Sequence, residues 1–264
     1  MKGIILWRIL TLSYRNRRLE EFLEAITQLP QKSMLSKDDL LTKQFLIEEH
    51  EDLEIYYSPH NDYINQDASI VIVGITPGWT QMRTAFRQAI ESIKKGDSPE
   101  QLVKKAKIAA SFSGTMRANL IEMLDECGIA KAVHTASSAS LFTEKRHLLH
   151  TTSVIRYPVF YQKKNYTGYR PKIDRSAMLS RYAYEEFPEE IAELNNPSLI
   201  IPLGKSVEQV VRTLITDKKF PGDTCLFGFP HPSGANVHRK KQFQEHVDSF
   251  KGIVERWAEK SSKI

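Results

Sequence analysis

Several features that mark whole classes of proteins are missing from the 264-residue sequence. Its two cysteines, Cys127 and Cys225, are far apart and form no CxxC pair, which excludes a four-thiolate cluster and a disulfide framework. No apolar run approaches the ~20 residues that span a bilayer. The apolar stretch near the N-terminus is broken by Arg8, and no small-residue cleavage site follows it. We therefore expect a cytoplasmic protein with reduced thiols, without a signal peptide, membrane contact, metal, iron–sulfur cluster, other cofactor or obligate protein partner.

Charge is unevenly distributed along the chain. Residues 1–68 contain eight Lys and Arg and twelve Asp and Glu, a net charge of −4 in a protein whose total is +5. The densest basic part is 140–181, where nine basic residues accompany two acidic ones and are interleaved with tyrosines. Cations bind phosphates and flat rings stack on bases, so this segment fits a nucleic-acid surface. It equally fits a solvated basic loop whose tyrosines pack on the protein body.

Short apolar runs separated by helical patterns predict the fold. Four runs, each followed by turn residues, indicate strands that are covered on both faces: 68–74, 147–154, 198–204 and 224–229. One helix ends at Gly128, and another begins at Ser98-Pro99 and carries lysines that favour a solvated face. The alternation predicts an α/β fold, a three-layer α/β/α sandwich around a mainly parallel four-stranded sheet. We expect a single domain over 1–264, with a helical wrap at 1–67, a core at 68–250 and a helical insertion at 79–111.

Two loops after predicted strands carry the residues best suited to chemistry. Gly74-Ile-Thr-Pro-Gly78 follows the first strand, and His231-Pro-Ser-Gly-Ala-Asn236 follows the fourth. Open α/β sheets bind ligands beyond the carboxyl ends of their strands. Each motif alone could be a tight turn or a helix entry, but the pair, in this order and after strands, is much more specific. The glycine-rich and nucleophile signatures GxxxxGK, GxGxxG and GxSxG do not occur.

The two loops resemble those of the uracil-DNA glycosylase superfamily, in which G-x-[DN]-P-[GY] follows the first sheet strand and H-P-S-x-x-[NS] the last. Two weaker similarities agree with this. Phe112-Ser-Gly114 is similar to the family's aromatic–glycine segment, and Thr152–Arg156 is similar to its T-N-x-V-K strand end. The resemblance covers roughly residues 68–250. It implies a uracil-DNA-glycosylase-like fold, DNA as the partner, and an enzyme that flips a nucleotide into a pocket and releases its base.

The resemblance also implies roles for individual residues. His231 would donate a hydrogen bond to the base and stabilise the departing anion, and Thr76 would help to place the attacking water. Phe112 would stack on the base unless it is a core ring, and Ser153 would contact the Watson–Crick edge. The other base-binding candidates are Gly74, Ile75, Pro77, Gly78 and Asn236. The DNA-binding candidates are Ser233, Gly234, Arg156, Lys163, Lys164 and Arg170, and residues 236–238 would fill the gap in the stack.

Three departures from the family pattern bear on the substrate. Thr76 replaces the Asp or Asn that positions water, and a threonine cannot act as a general base at neutral pH. Gly78 stands where uracil-specific enzymes place a Tyr that blocks groups at C5 of the pyrimidine. Ser153 is shorter than the family's Asn. These departures favour excision of a C5-substituted pyrimidine, with glucosylated 5-hydroxymethylcytosine of phage DNA, and hence anti-phage defence, as one candidate; 157–175 would then wall the larger pocket.

Three function classes remain open on the sequence. The first is a monofunctional DNA glycosylase for a modified pyrimidine, without Schiff-base lyase chemistry because neither loop contains a lysine. The second is a catalytically inactive DNA-binding module of the same fold, because Thr76 would mark lost catalysis. The third is a repair glycosylase for uracil or mismatched thymine. Formation of abasic sites on a panel of substrates separates them.

Overall fold

Helices and strands alternate along the chain in the computed structural model, which describes residues 18–30, 34–195, 199–220 and 224–261. The strands are β1 (Leu46–His50), β2 (Leu53–Tyr56), β3 (Ile70–Gly74), β4 (Leu149–Ser153), β5 (Val159–Tyr161), β6 (Lys164–Asn165) and β7 (Leu199–Pro202). The α-helices are α1 (Leu19–Thr27), α2 (Lys37–Leu40), α3 (Trp79–Lys94), α4 (Pro99–Ala110), α5 (Thr115–Glu126), α6 (Ile129–Ala132), α7 (Ala177–Arg181), α8 (Phe187–Ala192), α9 (Lys205–Thr216), α10 (Arg239–Gln244) and α11 (Val247–Ser261). Short 3₁₀ helices cover Pro59–Asp62, Ser138–Phe142, Arg146–Leu148 and Ile173–Arg175, and a π-helical turn covers Tyr182–Glu186.

The central sheet is parallel, with β3 between β4 and β7. It contains three of the four predicted strands; the first residue of the predicted strand 198–204 lies outside the described residues. The fourth predicted strand, 224–229, pairs with β7 through an isolated bridge between Cys225 and Ile200. Regular pairing is interrupted where Gly228 adopts φ +94° and Glu208 Oε2 of α9 accepts its N–H at 2.7 Å, and the Phe229 carbonyl then accepts the Gly204 N–H at 2.8 Å.

Both faces of the central sheet are buried, which gives the predicted three-layer architecture. Val71 and Val73 pack into one apolar cluster, which includes side chains of α1, α3, α4, α8 and α9. Ile70 and Ile72 pack into the other, against α5, α10 and α11. Successive residues of a strand point to opposite faces, so a strand between two helical layers must be apolar at every position. The α/β prediction is confirmed.

A second, antiparallel sheet corrects the expectation of a purely helical wrap at 1–67. Its strand order is β1-β2-β5-β6, so a hairpin at 46–56 pairs with the hairpin at 159–165. The sequence pattern missed β1 because only Leu46 and Ile47 of its five residues are apolar. Residues 1–17, the start of the predicted wrap, lie outside the described residues.

The predicted insertion at 79–111 contains the antiparallel pair α3 and α4. Ser98 caps α4 as predicted: its Oγ accepts the N–H of Gln101 at 3.3 Å. Lys104 and Lys105 are exposed, as a solvated face requires, but Lys107 is only 3% exposed and faces the interior. Over the described residues, no helix is both long and apolar enough to cross a membrane.

Candidate active site

A cavity of about 1540 Å³ lies at the carboxyl ends of β3 and β4 and is bounded by both motif loops. Ligand pockets usually have volumes of about 300–1,000 Å³, so this one is large. Most candidates named from the sequence line it: Gly74, Ile75, Thr76, Pro77, Gly78, Phe112, Ser153, His231, Ser233 and Asn236. Gly234, Arg156, Lys163, Lys164 and Arg170 lie outside its lining.

The first motif loop is fastened to the segment that follows β4. The Thr76 hydroxyl donates to the Tyr157 carbonyl at 2.7 Å and accepts the Val159 N–H at 3.0 Å. A hydroxyl has one proton and two lone pairs, so a single lone pair remains for any other partner. The geometry therefore gives Thr76 a structural task that the sequence did not suggest.

Asn165 of the β5–β6 hairpin lies beside Gly78. Its Oδ1 accepts the Trp79 N–H at the start of α3 at 3.0 Å, and a Cβ on Gly78 would lie 3.5 Å from its Nδ2. The side of the cavity next to Gly78 is therefore bounded by an amide that can donate hydrogen bonds. This contact brings the basic hairpin to the cavity wall.

His231 presents a neutral imidazole to the cavity. Its Nδ1 accepts the N–H of Ser233 at 3.2 Å, which places the ring proton on Nε2. Burial lowers the pKa of His231, so the ring is uncharged at neutral pH. Gly204 lies behind the ring at φ +85°, and a Cβ there would be 3.4 Å from the Cβ of His231. The loop thus supplies one oriented N–H donor without a positive charge.

Side chains from two helices hold the His231 loop in place. Asn119 of α5 donates to the Pro232 carbonyl at 2.8 Å, and Arg239 of α10 donates to the Ser233 carbonyl at 3.2 Å and to Asn119 Oδ1 at 3.1 Å. Asn236 Nδ2 donates to the His231 carbonyl at 3.3 Å and to Gln242 Oε1 at 3.0 Å. Asn236 therefore shapes the loop, in addition to lining the cavity.

Phe112 and Ser153 both line the cavity. Phe112 is 6% exposed, belongs to the apolar cluster against α5, and adopts φ +49°, which is uncommon outside glycine. It is thus both a core ring and a cavity wall. Ser153 ends β4, and its Oγ would be 3.4 Å from a Cβ on Gly74. Both residues therefore line the cavity, and Ser153 lies beside the first motif loop.

The basic segment contributes less free charge than its composition suggests. Arg156 was a DNA-binding candidate, but it is 6% exposed, donates to the Asn61 carbonyl at 2.8 Å and pairs with Glu190 at 3.5 Å. Arg156 cannot reach phosphates because it is buried in the core. The prediction that it binds DNA is therefore wrong. Lys163 is exposed and pairs with Glu54; Lys164 and Arg170 are exposed beside the cavity wall formed by Asn165.

Cations that no motif indicated lie on the rim of the cavity. Lys205, the first residue of α9, and Lys241 of α10 both line it and are exposed. Val237, directly after the His231 loop in the sequence, is 82% exposed, more than any other large apolar side chain among the described residues. The sequence around Lys205 and Lys241 does not indicate a binding site, because single lysines on amphipathic helices are ordinary.

Five further buried polar residues line the cavity, and no sequence motif indicates them. We call them the polar corner: His60, Asn61, Lys107, Ser111 and Thr151. They come from the 3₁₀ turn at 59–62, the end of α4 and the middle of β4. Only the fold brings these segments together, so no local pattern could have indicated them. In the described parts of the chain, no group of three His, Cys, Asp or Glu side chains could hold a metal ion.

Comparisons with known proteins agree with the motif loops. The family model described as "Uracil DNA glycosylase superfamily" matches residues 61–255. The uncharacterized protein YoxB of Bacillus subtilis (strain 168) is 52% identical over 240 residues, which is 91% of this chain and 93% of YoxB. No solved structure matches the chain.

Proposed function

Because the chain belongs to the uracil-DNA glycosylase superfamily, whose members are typically DNA glycosylases, we propose that it is a monofunctional glycosylase that flips out and excises a C5-substituted pyrimidine. The observation that carries this proposal is the neutral His231 ring, with its proton on Nε2, at the wall of a 1540 Å³ cavity. DNA is the partner, and the cytoplasm is the proposed location.

In this mechanism the bond from the sugar to the base breaks first. The departing base gains negative charge and the sugar gains oxocarbenium character. The His231 N–H stabilises that charge most strongly as it develops, which lowers the barrier more than it tightens ground-state binding. A neutral donor suits this task, because it keeps its proton and leaves the base as an anion. The remaining lone pair of Thr76 is available to orient the attacking water, whose oxygen bonds to C1′ of the oxocarbenium ion. The proton that this water loses passes to solvent, and the released base anion takes up a proton.

Room at the pyrimidine C5 position supports a substituted base. Gly78 has no side chain there, and the neighbouring group is the Asn165 amide, whose Nδ2 can donate to an oxygen of a substituent. Tyr166, Thr167 and Tyr169 continue this wall. The largest substituent considered is a glucosylated hydroxymethyl group, for which the biological role would be anti-phage defence.

The rim supports binding of the DNA on either side of the flipped nucleotide. Lys205 and Lys241 would neutralise phosphates, together with Lys164 and Arg170 on the hairpin side. Val237, exposed at the tip of the His231 loop, would enter the stack in place of the flipped base. Backbone and phosphate contacts position the enzyme but carry no information about the base.

A catalytically inactive binding module is the second candidate. The observation that favours it is the Thr76 hydroxyl, which is engaged by Tyr157 and Val159 where the family places a water-positioning Asp or Asn. Such a module would hold a flipped base without cleaving it.

The deciding experiment measures abasic-site formation under single-turnover conditions. The substrates are duplexes that contain uracil, mismatched thymine, 5-hydroxymethyluracil, 5-hydroxymethylcytosine or its glucosylated form. Preferential excision of a C5-substituted base by the native protein, lost in His231→Ala, supports the proposal. Binding to a modified duplex without excision of any base assigns the binding module, and preferential excision of plain uracil assigns the repair enzyme.

A further inference from the structure

The polar corner contains one buried hydrogen-bond donor without a partner, and two arginines outside its lining carry others. The Asn61 side chain is 5% exposed, and its Nδ2 is buried without a hydrogen bond. The buried Nε and Nη1 of Arg146 and Nη2 of Arg156 are also unpartnered. Arg156 has a carboxylate nearby, because Glu190 Oε2 lies 3.5 Å from its Nε, so the donors without an acceptor are those of Asn61 and Arg146. Unpartnered buried donors are rare in native proteins and indicate a missing acceptor.

Charge in and around the polar corner is predominantly positive. Lys107 is 3% exposed and faces the cavity. Glu190, the carboxylate that most raises its pKa, is bound to His150 at 2.9 Å and to Arg156. Arg146 adds a guanidinium that donates to Ser111 Oγ at 3.0 Å and to Thr151 Oγ1 at 3.4 Å. A buried cation without an anionic partner is costly, so the arrangement favours an anion.

The polar corner adjoins the proposed base site. Ser111 precedes Phe112, and its Oγ lies 2.8 Å from Thr151 Oγ1. Thr151 and Ser153 are two residues apart on β4 and so share a face of the sheet. The donors therefore adjoin the residues proposed to hold the ring of the base, away from Lys205 and Lys241 on the rim.

We propose that the polar corner binds a carboxylate substituent of the flipped pyrimidine, with Lys107 and Asn61 as the donors that recognise it. This inference rests on the proposed base site and narrows its substrate class from any C5-substituted pyrimidine to an acidic one. Lys107 and Asn61 then determine specificity, whereas His231 carries the chemistry.

The protonation of Lys107 is consistent with this role. Burial lowers the pKa of Lys107 to about 7. The nearby Arg156 and Arg146 lower this pKa further, whereas Glu190 raises it. The groups that face it are His60 and Asp62 of the 3₁₀ turn, His150 of β4, Glu190 of α8, and the two arginines. Burial keeps both histidines uncharged at neutral pH, and Asp62 accepts from Tyr57 and Tyr157. A bound carboxylate would favour the ammonium form, so binding is accompanied by proton uptake near pH 7.

The test compares two duplexes that differ only in charge. One contains 5-carboxycytosine and the other its neutral isostere 5-carboxamidocytosine, both as 2′-fluoroarabino nucleotides that resist cleavage. Fluorescence anisotropy with the full-length protein should show at least about tenfold tighter binding of the carboxylate duplex near pH 6.5. The preference should shrink above about pH 8, as the Lys107 amine loses its proton.

Variants of two lysines on α4 provide the control. Lys107→Met should abolish the preference, whereas Lys104→Met, at an exposed position on the same helix, should retain it. Should Lys107→Met fail to fold, Asn61→Asp places a negative charge in the polar corner and should reverse the preference. Equal binding of both duplexes by the native protein, or tighter binding of a glucosylated duplex, overturns the inference.

The outcome can be separated from that of the proposed function. Because these analogues are not cleaved, a carboxylate preference without excision of any base would reject the glycosylase and keep the polar corner as a ligand site. Excision of neutral modified bases without a carboxylate preference would keep the glycosylase and reject this inference.

Discussion

The motif loops and the polar corner line the same cavity but are built in different ways. Residues 74–78 and 231–236 are contiguous in the sequence, and each loop satisfies its polar groups through short-range contacts or through a few bracing side chains. The polar corner is assembled from a 3₁₀ turn, a helix and a strand, and it leaves the Asn61 amide nitrogen without a partner.

This difference teaches where each property of the site resides. Under the proposed function, the loops would supply the chemistry, because they hold an oriented donor and the backbone near the nucleotide. The polar corner would select the substrate, because the unpartnered Asn61 amide and the buried Lys107 are costly until a matching ligand binds.

Replacement of His231 should have the largest effect. His231→Ala removes the oriented donor and should lower the single-turnover excision rate by about 10²–10³-fold, the usual effect of losing one such donor. The fold should survive, because His231 lies on a loop at the sheet edge. His134→Asn, at an exposed position outside the cavity, is the control. An unchanged rate in His231→Ala would remove this residue from the chemistry.

Filling the space beside Gly78 should change the substrate without weakening DNA binding. Gly78→Tyr places a ring where Asn165 and a C5 substituent would lie, and overfilling costs ~1–3 kcal/mol, about tenfold or more in rate. Excision of C5-substituted bases should fall, whereas excision of uracil should fall less. The double variant with Asn165→Ala makes room for the ring. An equal loss on all substrates in both variants would mean that Gly78 serves only the turn.

A side chain at Gly204 should strain the support of His231. Gly204→Ala forces an L residue to φ +85°, where its Cβ would press against the Cβ of His231, so we expect a loss of ~1–3 kcal/mol in the free energy of unfolding. Excision should fall with it. Gly234→Ala is the matched control, because its φ is ordinary and a Cβ there meets no atom within 4 Å; its stability should change by less than about 0.5 kcal/mol. Similar losses in both would contradict this account.

Replacement of Lys107 should stabilise the protein in a pH-dependent way. Burial depresses the folded-state pKa of Lys107 to about 7, so the stability associated with its neutral form is present above the unfolded pKa of 10.5 and is lost as the pH falls towards 7. Lys107→Met removes that loss. Denaturant titration should show a free energy of unfolding about 1–3 kcal/mol higher than that of the native protein near pH 7, and this difference should vanish towards pH 10. A destabilised variant at pH 7 would mean that the amine is well satisfied.

The smallest effect concerns the rim. Each phosphate contact contributes a slope of roughly −0.9 to log K against log salt, so Lys205→Ala with Lys241→Ala should flatten the slope by about 1.8 for duplex DNA. The exposed pair Lys94 and Lys95, at the far end of α3, is the control and should leave the slope unchanged. A flattening with the control pair, or none with the rim pair, would place the DNA elsewhere.

The sequence predicted the features that depend on local order. The apolar runs gave the parallel sheet, because a strand covered on both faces must be apolar throughout, and Ser98 gave the start of α4. The second sheet was not predicted, because β1 is mostly polar. The fourth predicted strand forms only one bridge, because the chain turns at Gly228, whose N–H is bound by Glu208 of another element.

The site was predictable only where its residues are close together in the sequence. Both motif loops reach the cavity as expected. Arg156 was assigned to DNA by its charge, although Glu190 and the Asn61 carbonyl hold it in the core. The sequence predicts a solvated face for Lys107, as for the other lysines of α4, which are exposed. Lys107 is buried because α4 packs on the turn at 59–62. Charge and spacing cannot distinguish these cases, because burial is a property of the assembled fold.

The chain that leads to His231 is fixed to the sheet although only one bridge, between Cys225 and Ile200, joins the two. Ile200 forms backbone hydrogen bonds of 2.9 Å on both sides of Cys225, and the Gly204 N–H donates to the Phe229 carbonyl at 2.8 Å, two residues before His231. Side chains of α5 and α10 hold the other side of the loop. The imidazole is therefore anchored from both sides before any ligand binds. Under the proposed function, little reorganisation energy would be spent on aligning this donor while the bond to the base breaks.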